Sequence, residues 1–157
     1  MQHRMKTHQL TTEQINELFD RSDVGRFVTQ NPNGFPYAVA MHFVYYKEKI
    51  YMHGLPKGQK IDNIIQNPKV CFEIDEVLGF MTDGVDNPCD TNTKYNSIVA
   101  LGYAKLVHDL ELKREILNKI VEKYTPNFSG YLLPENMVKG TAVIEMSITE
   151  CTGKYYK

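Results

Sequence analysis

The stretch from Phe35 to Tyr46 constrains the fold of this chain more than any other. Side chains on both of its faces are apolar or aromatic. One face carries Tyr37, Val39, Met41, Phe43 and Tyr45, and the other carries Ala38, Ala40, His42, Val44 and Tyr46. A strand that is apolar on both faces belongs inside a sheet or barrel, because neither face can be left to solvent. We therefore predict one long, interior strand over residues 35–46.

Turn residues bound this strand at both ends. Asn31-Pro32-Asn33-Gly34 precedes it and is typical of a tight turn, with Asn33-Gly34 suited to positive φ. Lys47-Glu48-Lys49 follows it and leads into the strand Ile50–His53, which predicts an antiparallel hairpin. Further strands are predicted over residues 24–29, 69–75, 95–109 (bent at Gly102) and 141–148.

Helical periodicity occurs in three places. A capping-box pattern at 11–14 starts a helix over about residues 12–21, the isoleucines at 61, 64 and 65 mark a second, and apolar residues between 112 and 124 mark a third. The predicted fold is mainly β with peripheral helices, arranged as a small antiparallel β-barrel. One domain covers residues 1–157, and residues 1–10 form a flexible N-terminal segment.

The segment from Ile50 to Asn63 is a candidate anion site. It changes from strand alternation to helical spacing across a short loop that contains Gly54, Gly58, Lys57 and Lys60. A helix N-terminus presents unpaired N–H groups and the positive end of the helix dipole. With two lysines beside it, this loop suits a phosphate group. Solvated lysines in an ordinary loop would give the same sequence pattern, and no known phosphate fingerprint is present.

Composition excludes several classes of function. Hydrophobic residues make up 42% of the chain, charged residues make up 24%, and the net charge is −1, which is ordinary for a globular protein. A near-zero charge predicts no nucleic-acid partner and no membrane surface partner. Three cysteines without a C-x-x-C pair indicate a reducing compartment, and we expect a cytoplasmic location.

The histidines and cysteines offer two other chemistries, a metal site and a thiol nucleophile. His42 and His53 lie on strands joined by a short turn and could be close together, but no further residues with metal-ligand spacing accompany them, so we predict no metal site. Cys89 with a histidine could imitate a thiol nucleophile and its base. No helix N-terminus follows Cys89 and no third group can be named beside it, so we interpret it as an exposed or structural thiol.

Taken in order, several short motifs resemble the FMN-binding split barrels related to pyridoxamine 5′-phosphate oxidase, and within them most closely the nitroimidazole-resistance group. The motifs are Gly25-Arg26-Phe27, Asn33-Gly34-Phe35-Pro36-Tyr37, Phe43-Val44-Tyr45, Ile50-Tyr51-Met52-His53-Gly54, Lys57-Gly58-Gln59-Lys60, Asn67-Pro68-Lys69-Val70-Cys71-Phe72 and Tyr95-Asn96-Ser97-Ile98-Val99. The similarity covers roughly residues 20–108. It implies a split β-barrel rather than a closed one.

The resemblance also implies a cofactor site. It implies a homodimer with two FMN molecules at the interface, each touched by both chains. The isoalloxazine would lie along the strand made by Val39, Ala40, Met41, His42 and Phe43. The phosphate and ribityl chain would be held by His53, Gly54, Lys57, Gly58 and Lys60, with Asn63, Tyr95 and Ser97 as additional contacts.

The activity implied is that of a flavin-dependent oxidoreductase. NAD(P)H would reduce the flavin, which would reduce a small acceptor such as a nitro compound, with His53 as the catalytic residue. Thr91 departs from the family pattern, where relatives often carry Trp at the roof of the substrate pocket. Two alternatives stay open: a haem-binding split barrel with His53 or His42 as axial ligand, and a flavin-binding module without catalytic activity.

Overall fold

The computed structural model describes residues 6–157 of the chain. Within them, one antiparallel sheet contains seven strands: β1 (Gly25–Gln30), β2 (Pro36–Met41), β3 (Phe43–Tyr46), β4 (Lys49–Gly54), β5 (Lys69–Met81), β6 (Asn92–Leu106) and β7 (Ala142–Tyr156). The α-helices that accompany it between residues 8 and 157 are α1 (Thr12–Arg21), α2 (Gln59–Gln66), α3 (Leu110–Tyr124) and α4 (Glu135–Gly140), with short 3-10 helices at Pro88–Asp90 and Pro126–Phe128. None of these described helices is long and apolar enough to cross a membrane.

The strand order explains why the barrel is split. Hydrogen-bonded neighbours run β2-β1-β5-β6-β7-β4-β3, so β2 and β3 are the two edges of the sheet. A single residue, His42, joins these edges. The prediction of one continuous strand over 35–46 is therefore wrong. The chain leaves one edge of the sheet at Met41 and joins the opposite edge at Phe43, and this change of partner cannot be seen in side-chain alternation.

Side chains from distant strands meet inside the curved sheet. The rings of Phe43 on β3 and Phe72 on β5 pack edge to face with centroids 5.0 Å apart, although these strands are far apart in the hydrogen-bonded order. Helix α1 adds Leu18 and Phe19, both fully buried, and Phe19 stacks on Tyr45 at 4.5 Å. The predicted capping box is present, because Thr11 and Gln14 bond each other's backbone N–H groups. The barrel prediction is confirmed, in its split form.

Gly102 allows two strands to approach unusually closely. The β6–β7 register shifts between Leu101 and Gly102, and a Cβ atom at Gly102 would lie 2.0 Å from the carbonyl oxygen of Ser147. The β6–β7 pairing is therefore irregular at the glycine where the bend is predicted, and the bend itself stays a prediction. A glycine is needed because any side chain would overlap the neighbouring backbone.

The residues before α1 are partly paired with β7. Leu10 donates a backbone hydrogen bond to Gly153, and Tyr155 donates one to His8, so residues 8–10 lie against the sheet instead of forming a flexible segment. The remainder of that prediction, over residues 1–5, lies outside the described residues. Strand β7 also runs past the predicted end at residue 148, which gives residues 8–10 an edge to pair with.

Candidate functional site

The loop between β4 and α2 ends in a glycine with an unusual backbone. Gly58 has φ 125°, a conformation that favours glycine, and stands at the N-cap of α2 without a side-chain cap. Its carbonyl accepts hydrogen bonds from Ile61 and Asp62, so the first turn of the helix is well formed. No N-cap side chain therefore bonds the first N–H groups of α2.

Lys60 folds back over the end of β4. A Cβ atom at Gly54 would lie 3.6 Å from Lys60 Nζ, so the ammonium group sits beside the bare backbone of this glycine. Lys57 is exposed on the same loop. One ammonium group, an uncapped helix N-terminus and the space left by a glycine together make a cradle for an anion. The sequence-predicted grouping of Gly54, Lys57, Gly58 and Lys60 is present in the fold.

Asn63 anchors α2 to the sheet. Its amide nitrogen donates to Thr29 Oγ1 at 2.9 Å and to Asn31 Oδ1 at 3.0 Å, and its oxygen accepts from Gln59 at 2.8 Å. The residue is fully buried. Both amide hydrogens already have protein partners, so Asn63 orients the loop and helix through the turn after β1. Its predicted contact with a cofactor stays a prediction.

His42 and His53 lie next to each other, as their strands suggested. Phe43 on β3 pairs with Met52 on β4, and the two histidines occupy the next positions outward. The His42 ring stacks on Tyr124 with centroids 4.3 Å apart. Burial lowers the pKa of His53, and the nearby His42 lowers it further. The His53 imidazole is therefore held in its neutral form.

A cleft of about 160 Å³ opens beside His53. Its walls come from α3, from the segment that follows α3, and from α4: Leu117, Ile120, Val121, Leu133, Met137, Val138 and Thr141. His53 Nδ1 is buried and has no hydrogen-bond partner among the described residues. An unpaired buried nitrogen costs free energy unless a ligand or water satisfies it. This cleft was not predicted, because the periodicity of α3 indicates a helix but not which wall it forms.

Strand β2 carries three of the five residues predicted to lie along a flavin ring, whereas His42 follows it and Phe43 is buried at the start of β3. Val39 and Met41 pack against the barrel core, and Ala40 is exposed between them. In the described sheet β2 is hydrogen-bonded to β1 alone, so its other edge has unpaired backbone groups. A ligand beside this edge would meet N–H and C=O groups rather than side chains.

Tyr95 and Ser97 are separated from the rest of the predicted site. Gly54 pairs with Ala142 at one end of β7, and Ser97 pairs with Lys154 near the other end. Twelve positions along β7 separate those partners, roughly 40 Å of strand at ~3.3 Å per residue. Ser97 instead lines a second cleft of about 170 Å³, together with Lys154 and residues of the N-terminal segment. Within one chain, the pairing therefore places Ser97 and Gly54 near opposite ends of β7.

The described residues contain no group of three or more histidine, cysteine or acidic side chains that could hold a metal ion. Cys89 is exposed and its thiol is not in a disulfide.

Several solved structures resemble this fold. A candidate 5-nitroimidazole antibiotic resistance protein from Bacteroides thetaiotaomicron is 26% identical, with a TM-score of 0.79 over 92% of this chain and 84% of that one. The flavocytochrome Anf3 from Azotobacter vinelandii is 21% identical, with a TM-score of 0.87 over 100% and 72%. An FAD and haem binding protein from Mycobacterium smegmatis is 14% identical, with a TM-score of 0.84 over 94% and 72%.

No protein of curated function matches the chain. The sequence profile of the pyridoxamine 5′-phosphate oxidase family matches residues 11–155, which is nearly the whole of the chain. This match agrees with the resemblance found in the sequence. The strand order and the split at His42 agree with it as well. The chain belongs to the pyridoxamine 5′-phosphate oxidase family and has its split-barrel fold.

Proposed function

We propose that this protein is an FMN-binding oxidoreductase that acts as a homodimer. The observation that carries the proposal is the anion cradle made by Gly54, Lys60 and the uncapped start of α2. A phosphate group fits such a place, because charge-assisted hydrogen bonds from an ammonium group and from backbone N–H groups satisfy its oxygens. Family membership and the flavin-related names of structural relatives support the same ligand.

Each part of the chain has a distinct role in this proposal. Lys57 and Lys60 hold the phosphate, and the free edge of β2 along Val39–Met41 offers backbone groups to the ring. A flavin held there would supply the redox chemistry, namely hydride uptake from NAD(P)H and electron transfer to a small acceptor such as a nitro compound. His53 orients that acceptor through a hydrogen bond from its neutral imidazole.

The positions of Ser97 and Gly54 near opposite ends of β7 support a dimer. In a dimer, the Ser97 of one chain and the Lys60 of the other can both contact one flavin. The outer face of the sheet suits a second copy. Ala38, Val28, Cys71 and Leu101 stand in one register row across four strands, and the neighbouring Val99 and Tyr103 are 38% and 49% exposed. An apolar row of this extent is typical of a protein interface.

An absorption spectrum of the purified protein tests the proposal. We expect bands near ~375 and ~450 nm that disappear on release of the cofactor, followed by NAD(P)H oxidation faster than with free flavin. A Soret band would instead identify the haem-binding alternative. Flavin binding without NAD(P)H oxidation would identify a non-catalytic module, and a colourless protein that ignores added FMN would contradict the proposal.

A further inference from the structure

We propose that a cleft beside Arg114 binds a small monocarboxylate with an apolar body. The cleft has a volume of about 260 Å³ and lies between α3 and residues 130–133 of the segment that follows it. The guanidinium group of Arg114 would hold the carboxylate. This inference goes beyond the proposed function, since neither the flavin nor the anion cradle takes part in it.

The Arg114 cleft is separate from the cleft beside His53. Val121 and Leu133 line both of them, so the two clefts lie on either side of one aliphatic wall. No other lining residue is common to the two. The polar side chains that would meet the carboxylate line the Arg114 cleft alone.

The guanidinium group of Arg114 is held at the wall of its cleft. One terminal nitrogen donates to the carbonyl oxygen of Leu133 at 2.8 Å, and both residues line the cleft. A guanidinium group carries several N–H donors, and Arg114 makes no second hydrogen bond within the part of the chain that the structure describes. None of its nitrogens is a buried atom without a partner, so the remaining donors are accessible. A carboxylate can accept two of them side by side.

Two carboxylates near the cleft already have cationic partners. Glu122 lines the cleft and accepts a hydrogen bond from Lys119 at 2.8 Å. Glu135 pairs with Lys139, which is the main reason why the pKa of Glu135 is lowered, and the positive charge of Arg114 lowers it further. The charge of Arg114 is therefore felt by a nearby carboxylate without being neutralised in an ion pair. A ligand with one negative charge is favoured, because a second would face Glu122.

The rest of the lining suits an apolar body and a second polar contact. Leu132 adds to the aliphatic wall. The Tyr131 ring packs edge to face on Phe128 with centroids 5.8 Å apart, which fixes a flat surface at the opening. The amide of Asn118, one helical turn after the arginine, is exposed and can donate to a ligand oxygen. Apolar surface with a few converging polar groups is typical of small-molecule sites.

The test compares benzoate with its neutral counterpart benzamide. Each is titrated into protein with ¹⁵N-labelled arginine, and the Nε–Hε signals are followed by NMR. The arginines of the chain are Arg4, Arg21, Arg26 and Arg114, so the Arg114→Lys variant assigns the signal of interest. We expect benzoate to shift the Arg114 signal and to bind at least about tenfold more tightly than benzamide, because only benzoate forms charge-assisted hydrogen bonds.

An exposed asparagine tests the site without removing the bond between Arg114 and Leu133. Asn118→Asp places a negative charge in the cleft and should weaken benzoate binding at least about tenfold. Asn127→Asp makes the same change of charge at an exposed position that does not line the cleft, and it should leave the affinity nearly unchanged. Arg114→Gln removes the cation and should abolish binding.

Several results would overturn the carboxylate site. Benzoate that leaves the Arg114 signal in place does so, even where it binds elsewhere, for example at Lys60. Equal effects of the two aspartate variants, or equal affinities for benzoate and benzamide, do so as well. FMN is absent from these titrations, so a failure of the proposed function would leave the carboxylate site standing.

Discussion

The hydroxyl group of Tyr124 bonds the backbone of Phe43, 81 positions earlier in the chain. It accepts a hydrogen bond from the Phe43 N–H at 2.8 Å and lies 2.8 Å from the Phe43 carbonyl oxygen, to which it can donate. Phe43 is the first residue of β3, immediately after the junction at His42. The last residue of α3 therefore fixes the place where the chain passes from one edge of the split barrel to the other.

Tyr124→Phe should destabilise the protein by about 1–3 kcal/mol, because it leaves the buried Phe43 N–H without a partner. The free energy of unfolding, measured by denaturant titration, checks this. Tyr131→Phe is a suitable control, since Tyr131 is exposed. If both variants unfold at the same denaturant concentration, the hydroxyl group does not hold the junction.

Lys60→Ala should weaken FMN binding by about 1.5–3 kcal/mol through loss of a charge-assisted contact with the phosphate. Fluorescence titration of FMN measures the affinity. Lys119→Ala serves as control, because Lys119 lies on α3 and pairs with Glu122. An unchanged affinity in the Lys60 variant would remove this residue from the site.

His53→Ala should reduce turnover more than it reduces FMN retention. The reason is that His53 borders the cleft of about 160 Å³ and is not part of the anion cradle made by Gly54, Lys60 and the start of α2. Steady-state kinetics and FMN titration on the same preparation give the two values. His108→Ala, at an exposed position before α3, controls for loss of a histidine. An equal loss of turnover and of FMN retention would show that His53 only binds the cofactor and takes no part in the chemistry.

Leu101→Arg should shift the protein from dimer to monomer and weaken FMN binding with it. Leu101 is 43% exposed and stands at the end of the apolar row on the outer face of the sheet. Sedimentation velocity measures the molecular mass. Leu110→Arg is comparable in exposure but lies at the start of α3. A Leu101 variant that stays dimeric would show that this face is not the interface.

Acid should weaken the protein through Glu76, whose pKa is lowered to about 2 by hydrogen bonds from Arg21 and Asn96. A carboxylate with a depressed folded pKa contributes stability above its ordinary value of 4.5, and that contribution is lost as pH falls towards about 2. The free energy of unfolding of Glu76→Gln should therefore fall less than that of the parent protein between those pH values. Parallel pH profiles for the two proteins would contradict this role.

The elements that the sequence predicts correctly depend on local chemistry. The turn at Lys47 and Glu48 has positive φ at both residues, and the first helix begins at a capping box, features that neighbouring residues determine. The proximity of Gly54 and Lys60 was also predictable, because these residues flank one short loop. Each of these signals spans fewer than about ten residues.

The features that the sequence does not predict depend on long-range contacts. The junction at His42 is held by Tyr124, and the amide of Asn63 is satisfied by Thr29 and Asn31. Side-chain alternation continues unchanged through His42, so it carries no sign of a change of partner strand. The six-residue helix α4 and the cleft beside His53 are likewise products of packing, with no periodic signal of their own.

Strand β7 has a consequence for how the protein is made in the cell. It is hydrogen-bonded to β6 on one side and to β4 on the other, so it joins a group of four strands to a group of two. The other six strands leave the ribosome before it does. Until β7 emerges, β4 lacks one of its two neighbouring strands, and no backbone hydrogen bonds between strands join the two groups. The two groups of strands therefore cannot join until β7 has been synthesised, and the waiting strand edges are where a nascent chain would bind a chaperone.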